Sequence, residues 1–144
     1  MLNLQPALIE LEFEFGRAND RFINIVISDA KSKFNVFPYE DNGWFGHVAL
    51  PVQLPTKIFI ECSGKTDQDV IVDKNNNIIQ DTYVKIKNIK IDGFFLSKNY
   101  IDQKIIQHTS TGEEIISSYI GHNCSIVLDF SKNNAIYQVL YANQ

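Results

Sequence analysis

Polar and apolar residues alternate with a period of two along most of the chain. In residues 8–15, Glu10, Glu12 and Glu14 interleave with Ile9, Leu11, Phe13 and Phe15, the pattern of a strand with one buried and one wet face. Residues 16–20 carry turn chemistry. Residues 21–28 then place Ile23, Ile25 and Ile27 on one face, and the short spacing predicts an antiparallel hairpin with the preceding strand. Residues 34–39 and 44–50 flank Glu40-Asp41-Asn42-Gly43, where Asn-Gly supplies the positive φ angles of a hairpin turn. Pro51 and Pro55 bracket a short extended linker. Residues 56–62 alternate again, with Ile58, Ile60 and Cys62 inward and Lys57, Phe59 and Glu61 outward.

Residues 63–81 are the most polar stretch. Residues 82–91 read as a long strand that changes phase, since Val84 and Ile86 share one face and Ile89 and Ile91 the other. A β-bulge, or a strand crossing between two sheets, produces such a change. Asp92-Gly93 turns the chain, and residues 94–96 suit a short strand. Tyr100, Ile101, Lys104, Ile105 and His108 have helical spacing, which allows one short helix. Residues 114–120, 124–130 and 135–141 close the chain as three strands, with turns at 121–123 and 131–134. The expected fold is therefore all-β: an antiparallel β-sandwich, jelly-roll-like, with at most one short helix. No helix falls between successive strands, which argues against a βαβ fold.

Composition narrows the classes further. The chain has 144 residues, 44% hydrophobic and 21% charged, as expected of one ordered domain spanning 1–144. A net charge of −4 and no run of Lys or Arg speak against nucleic acid as a partner. No apolar run is long enough for membrane insertion, and the N-terminus lacks the features of a signal peptide, so synthesis and retention in a cytoplasm are expected. Two cysteines, Cys62 and Cys124, read as buried thiols on core strands. A disulfide between them requires neighbouring strands.

The three histidines, His47, His108 and His122, have no metal-ligand spacing, and no serine lies in a nucleophile elbow. The chain is expected not to be an enzyme. Asp73, Asn75 and Asn77 stand at alternate positions, as in loops that wrap calcium with oxygen ligands, and Asp67, Asp69 and Asp81 add carboxylates. These six are the candidate metal ligands, with calcium as the candidate cofactor. The same segment also reads as a plain hairpin with Asn75-Asn76-Asn77 at its tip. Tyr39, Trp44, Phe45 and His47 crowd around the Asn42-Gly43 turn and are the candidate contacts for a sugar face or a protein partner. Capping of the open end of the sandwich is the simpler account of them. Trp44 and Phe45 must point to opposite faces of their strand. The lysines at 85, 87 and 90 read as a solvated face that discourages edge pairing.

The skeleton Gly64-Lys65-Thr66-Asp67, Asp69, Ile71-Val72-Asp73, Asn77-Ile78, Asp81 and Ile91-Asp92-Gly93 resembles a segment of uncharacterised proteins of tailed bacteriophages, particularly marine ones. Those proteins also carry a motif like Tyr119-Ile120-Gly121-His122-Asn123 followed by Leu128-Asp129-Phe130. The resemblance covers roughly the second half of the chain. It implies a virion structural or accessory protein, of capsid-decoration or fibre-attachment type, made in the host cytoplasm and localised to the virion. Its partners would be other virion proteins or copies of itself in a homo-oligomer or lattice, with Phe45, Phe59 and Tyr83 as outer-face contacts. The same order of features is similar to calcium-dependent xylan-binding modules. That likeness implies a glycan as partner and Asp67, Asp69, Asp73 and Asp81 as calcium ligands.

Overall fold

The computed structural model describes residues 5–130. In chain order the strands are β1 (Gln5–Gly16), β2 (Asn24–Ser28), β3 (Lys33–Val36), β4 (Tyr39–Glu40), β5 (Trp44–Leu54), β6 (Thr56–Ser63), β7 (Val70–Val72), β8 (Ile78–Asp81), β9 (Tyr83–Ile91) and β10 (Phe94–Phe95). A short helix α1 (Lys98–Lys104) follows, then β11 (Ile106–Thr109), β12 (Glu114–Ile116), β13 (Tyr119–Ile120) and β14 (Cys124–Phe130). The expected strand at 135–141 and the turn at 131–134 lie outside the described residues.

The strands form two antiparallel sheets packed as a sandwich. One is ordered β10-β9-β1-β5-β4, with β13 also paired to β9. The other is ordered β12-β11-β14-β6-β2-β3. The alternation dictates what lies between them. Ile9, Leu11 and Phe13 from β1 meet Ile25 and Ile27 from β2 and Ile58 and Ile60 from β6 in one core, each at most 1% exposed. Full burial of such a side chain contributes about 1.5–3 kcal/mol. The bulge anticipated in β9 is present: Glu12 pairs with Asn88 and Phe13 with Ile86, so Lys87 is the extra residue. That one insertion returns Val84, Ile86, Ile89 and Ile91 to the same buried face.

Several local expectations are corrected by the pairing. β1 and β2 do not form a hairpin. β1 pairs with β5 and β9, whereas β2 pairs with β3 and β6 in the other sheet. Two strands with apolar faces bury both by packing face to face, and sequence proximity does not choose between that and edge pairing. The strand expected at 34–39 is divided between the sheets as β3 and β4, and that at 114–120 as β12 and β13. Pro51 lies within β5, opposite Leu8, not in a linker. The Leu8 amide and carbonyl both bond to Asp92, so the Pro51 nitrogen faces away from β1 and no ladder bond is lost. β9 is flanked by β1 and by β10 and β13, so its lysines do not guard an edge.

Candidate binding groove

β7 and β8 form a separate two-stranded hairpin that leaves the sandwich and returns to it. Its tip is built by Asp73, whose Oδ1 accepts the amides of Asn75 (2.8 Å) and Asn77 (2.9 Å) while Asn76 takes a φ of 63°. These amide bonds hold the Asp73 carboxyl below its usual range. The segment thus has the hairpin geometry, and its polar residues at 73, 75 and 77 are engaged with one another.

Of the remaining candidate ligands, Asp69 and Asp81 have other partners. Asp69 is 1% exposed; its Oδ2 accepts the Thr66 amide at 2.7 Å, and its Oδ1 faces Arg21 Nη1 at 3.5 Å. Asp81 Oδ1 receives the Lys65 ammonium at 2.6 Å, and its Oδ2 receives the Tyr119 hydroxyl at 2.9 Å. Asp67 is exposed. Among the described residues no three or more His, Cys, Asp or Glu side chains are grouped to hold a metal ion.

What the fold does bring together is a groove of about 760 Å³ between this hairpin and the segment from β11 to β14, within the size range of ligand sites. Lys65 organises one wall. Its ammonium also donates to the Gly121 carbonyl at 2.6 Å, its amide donates to Asn123 Oδ1, and the Asn123 amide group donates back to the Lys65 carbonyl. Lys65 and Asp81 side chains are 11% and 16% exposed, so little solvent screens their pairing. The Tyr119 ring stacks on Tyr83 at 4.8 Å and 23°, and Tyr119 remains 42% exposed. Burial, followed by the bond to Asp81, pushes the Tyr119 phenol well above its ordinary value, so it remains a neutral donor. Val70, Ile78 and Ile115 supply the apolar part of the lining.

Gln107 explains how β12 and β13 can leave one sheet for the other beside this groove. Its side chain is fully buried and donates to the Ser117 and Tyr119 carbonyls at 2.9 and 2.7 Å, satisfying backbone groups that no ladder reaches. The Ser118 hydroxyl donates to Asp102, and the Ile86 amide donates to the Ser118 carbonyl, pinning the crossing from both sides.

The aromatic corner is arranged differently. Asn42 and Gly43 have φ of 50° and 141°, and Tyr39 pairs with Phe45 across the turn. Trp44 turns toward the core, 5.1 Å from Phe22, with the Arg17 guanidinium 4.6 Å above its ring. Phe45 turns to the outer face, against Tyr39 and Lys87. His47, also outward, meets Glu10 at 3.0 Å. The opposite orientations of Trp44 and Phe45 follow the expectation, and the four side chains do not converge on one site. Of the other outer-face residues, Phe59 is 41% exposed beside Val127, whereas Tyr83 is half-buried against Tyr119.

Lys65, Gln107, Tyr119, His122 and Asn123 line the groove, and none was singled out as a site residue by composition or spacing. One signal was present: Lys65 and residues 119–123 lie in the segments that carry the resemblance described above, whereas nothing local to Gln107 marks it. The architecture is that of an all-β sandwich with a groove of mixed polar and apolar lining at one side. The chain matches no family model, no curated protein and no solved structure.

Proposed function

We propose that this chain is a non-enzymatic binding module of a phage particle whose groove receives a surface glycan. The observation that carries the reading is the wall formed by Lys65, Asp81, Tyr119 and Asn123. Its polar atoms are fixed in advance by hydrogen bonds, beside an exposed tyrosine ring and apolar side chains. Sugars present both hydroxyls and apolar C–H faces, so this pairing of fixed polar groups with an aromatic surface suits them. The Lys65 ammonium already supplies positive charge to Asp81, so glycan binding is expected to persist without calcium.

The test is a glycan panel probed with wild type and Tyr119→Ala, each with calcium and with chelator. A glycan that binds wild type and loses about tenfold in affinity with Tyr119→Ala supports the groove. Binding to no glycan, or equal binding by the variant, rejects it. Binding that disappears in chelator, with a melting temperature raised by calcium, would return Asp67, Asp69 and Asp81 as metal ligands.

Assembly on the particle rests on a different feature. Phe59 and Val127 face each other across β6 and β14 on the outer surface, 41% and 39% exposed. Such a pair suits docking onto a capsid or fibre subunit. Sedimentation with capsids, lost on Phe59→Lys, is the expected result; a chain that never sediments with them removes this role.

A further inference from the structure

Cys62 and Cys124 stand directly opposite one another, although 62 residues separate them in sequence (124 − 62). β14 runs antiparallel to β6 with Cys124 on Cys62, Ile126 on Ile60 and Leu128 on Ile58. All six side chains face the core and are at most 6% exposed. Opposed residues of an antiparallel pair have Cα atoms about 4.5 or 5.5 Å apart, depending on the hydrogen-bonding site. Either separation lies in the range of about 4.4–6.8 Å that a disulfide spans. β2 and β11 flank the two strands, holding the pair inside a continuous sheet. Both thiols are free and buried in the structure.

We infer that Cys62 and Cys124 are an oxidative cross-linking site, closing an intramolecular disulfide that staples β6 to β14 beneath the groove. The staple would lie where it constrains most. Cys62 stands three residues before Lys65 and Cys124 directly follows Asn123, and these two neighbours are already bonded reciprocally. The thiols also differ in the sense the reaction needs. Interaction with Cys62 lowers the Cys124 thiol from its ordinary value, while the same interaction and burial push the Cys62 thiol up.

Glutathione disulfide suffices as the oxidant. The Cys124 thiolate attacks one of its sulfurs and expels glutathione thiolate. Cys62 then releases its proton to solvent and attacks the Cys124 sulfur of the mixed disulfide, expelling the second glutathione. Two S–H bonds are lost, one S–S bond forms, and two electrons reduce the oxidant to two glutathione molecules. Because both thiols are buried, the exchange belongs to folding or to opening of the strand ends.

The full chain is unfolded in urea and refolded in a buffer of reduced and oxidised glutathione, with dithiothreitol as the parallel arm. The expected product is monomeric, has lost two hydrogens by intact mass and yields a Cys62–Cys124 linked peptide on digestion. It melts about 10 °C above the reduced chain, because the cross-link restricts the unfolded ensemble. The double variant Cys62→Ala/Cys124→Ala is expected to melt identically in both buffers. Two free thiols after refolding, a retained glutathione adduct, or a linked chain that melts no higher than the reduced one would overturn the inference.

Discussion

The aromatic corner and the groove wall are built from opposite kinds of sequence. At the corner, Tyr39, Trp44, Phe45 and His47 lie within nine consecutive residues (39 to 47), and folding divides them between two faces of the sheet, with Trp44 turned away from Phe45 and its neighbour Tyr39. Trp44 goes to the end of the core and Phe45 and His47 to the outer face, because neighbouring side chains on a strand point to opposite sides. At the groove, Lys65, Asp81, Tyr119 and Asn123 come from distant segments, and folding joins them through one hydrogen-bond network. Proximity in sequence is thus a poor guide to a site on a β-sandwich, whereas strand order is a good one.

Substitutions at the two places should differ in size. Lys65→Met leaves Asp81 in a site only 16% exposed with Tyr119 as its remaining partner, and should cost about 3 kcal/mol in urea unfolding. A loss below about 1 kcal/mol would mean that the wall rearranges freely, and the contrast with the corner would fail.

A smaller effect divides the regions by pH. On the outer face of β1, a hydrogen bond from Asn88, together with Lys90, outweighs burial and lowers the Glu12 carboxyl. Its folded value lies below its unfolded one, so its contribution is present above about pH 4.5 and is lost as pH falls through the lowered value. Tyr119 behaves in the opposite sense. Its folded value is raised, so its contribution is present below about pH 10 and is lost as pH rises. Melting curves should therefore show an acid decline weakened by Glu12→Gln and an alkaline decline weakened by Tyr119→Phe. Exchange of those two assignments would show that the wrong region controls each limb.

The smallest effect belongs to the corner. His47 and Glu10 are 42% and 20% exposed, and His47→Ala should change stability by less than about 0.5 kcal/mol. A loss comparable to that of Lys65→Met would make the corner a built site after all.

The sheet faces were legible because burial on a strand has a period of two, and each of Ile9, Leu11, Phe13 and Phe15 declares its own side. Even the bulge in β9 left a trace, as a change of phase between Ile86 and Ile89. The carboxylates at 67, 69, 73 and 81 were recognised as chemically capable but not by role. Whether Asp81 meets calcium, a ligand or Lys65 depends on a side chain sixteen residues earlier in sequence. Tyr119 and Asn123 were visible only as members of a motif, since nothing local to them indicates a groove.

By itself the sequence determined the all-β class, the inward and outward positions and the turns at Asn42-Gly43 and Asp92-Gly93, and it left Asn75-Asn76-Asn77 open between a hairpin tip and part of a calcium loop. Each determined feature depends on interactions within a few residues, namely side-chain alternation and backbone φ. Only the tertiary structure decided that β1 and β2 part into different sheets, that Cys62 meets Cys124, and that Lys65 closes on Asp81 and Asn123. Those choices depend on which apolar faces cover each other across the sandwich, and many strand orders satisfy the same alternation.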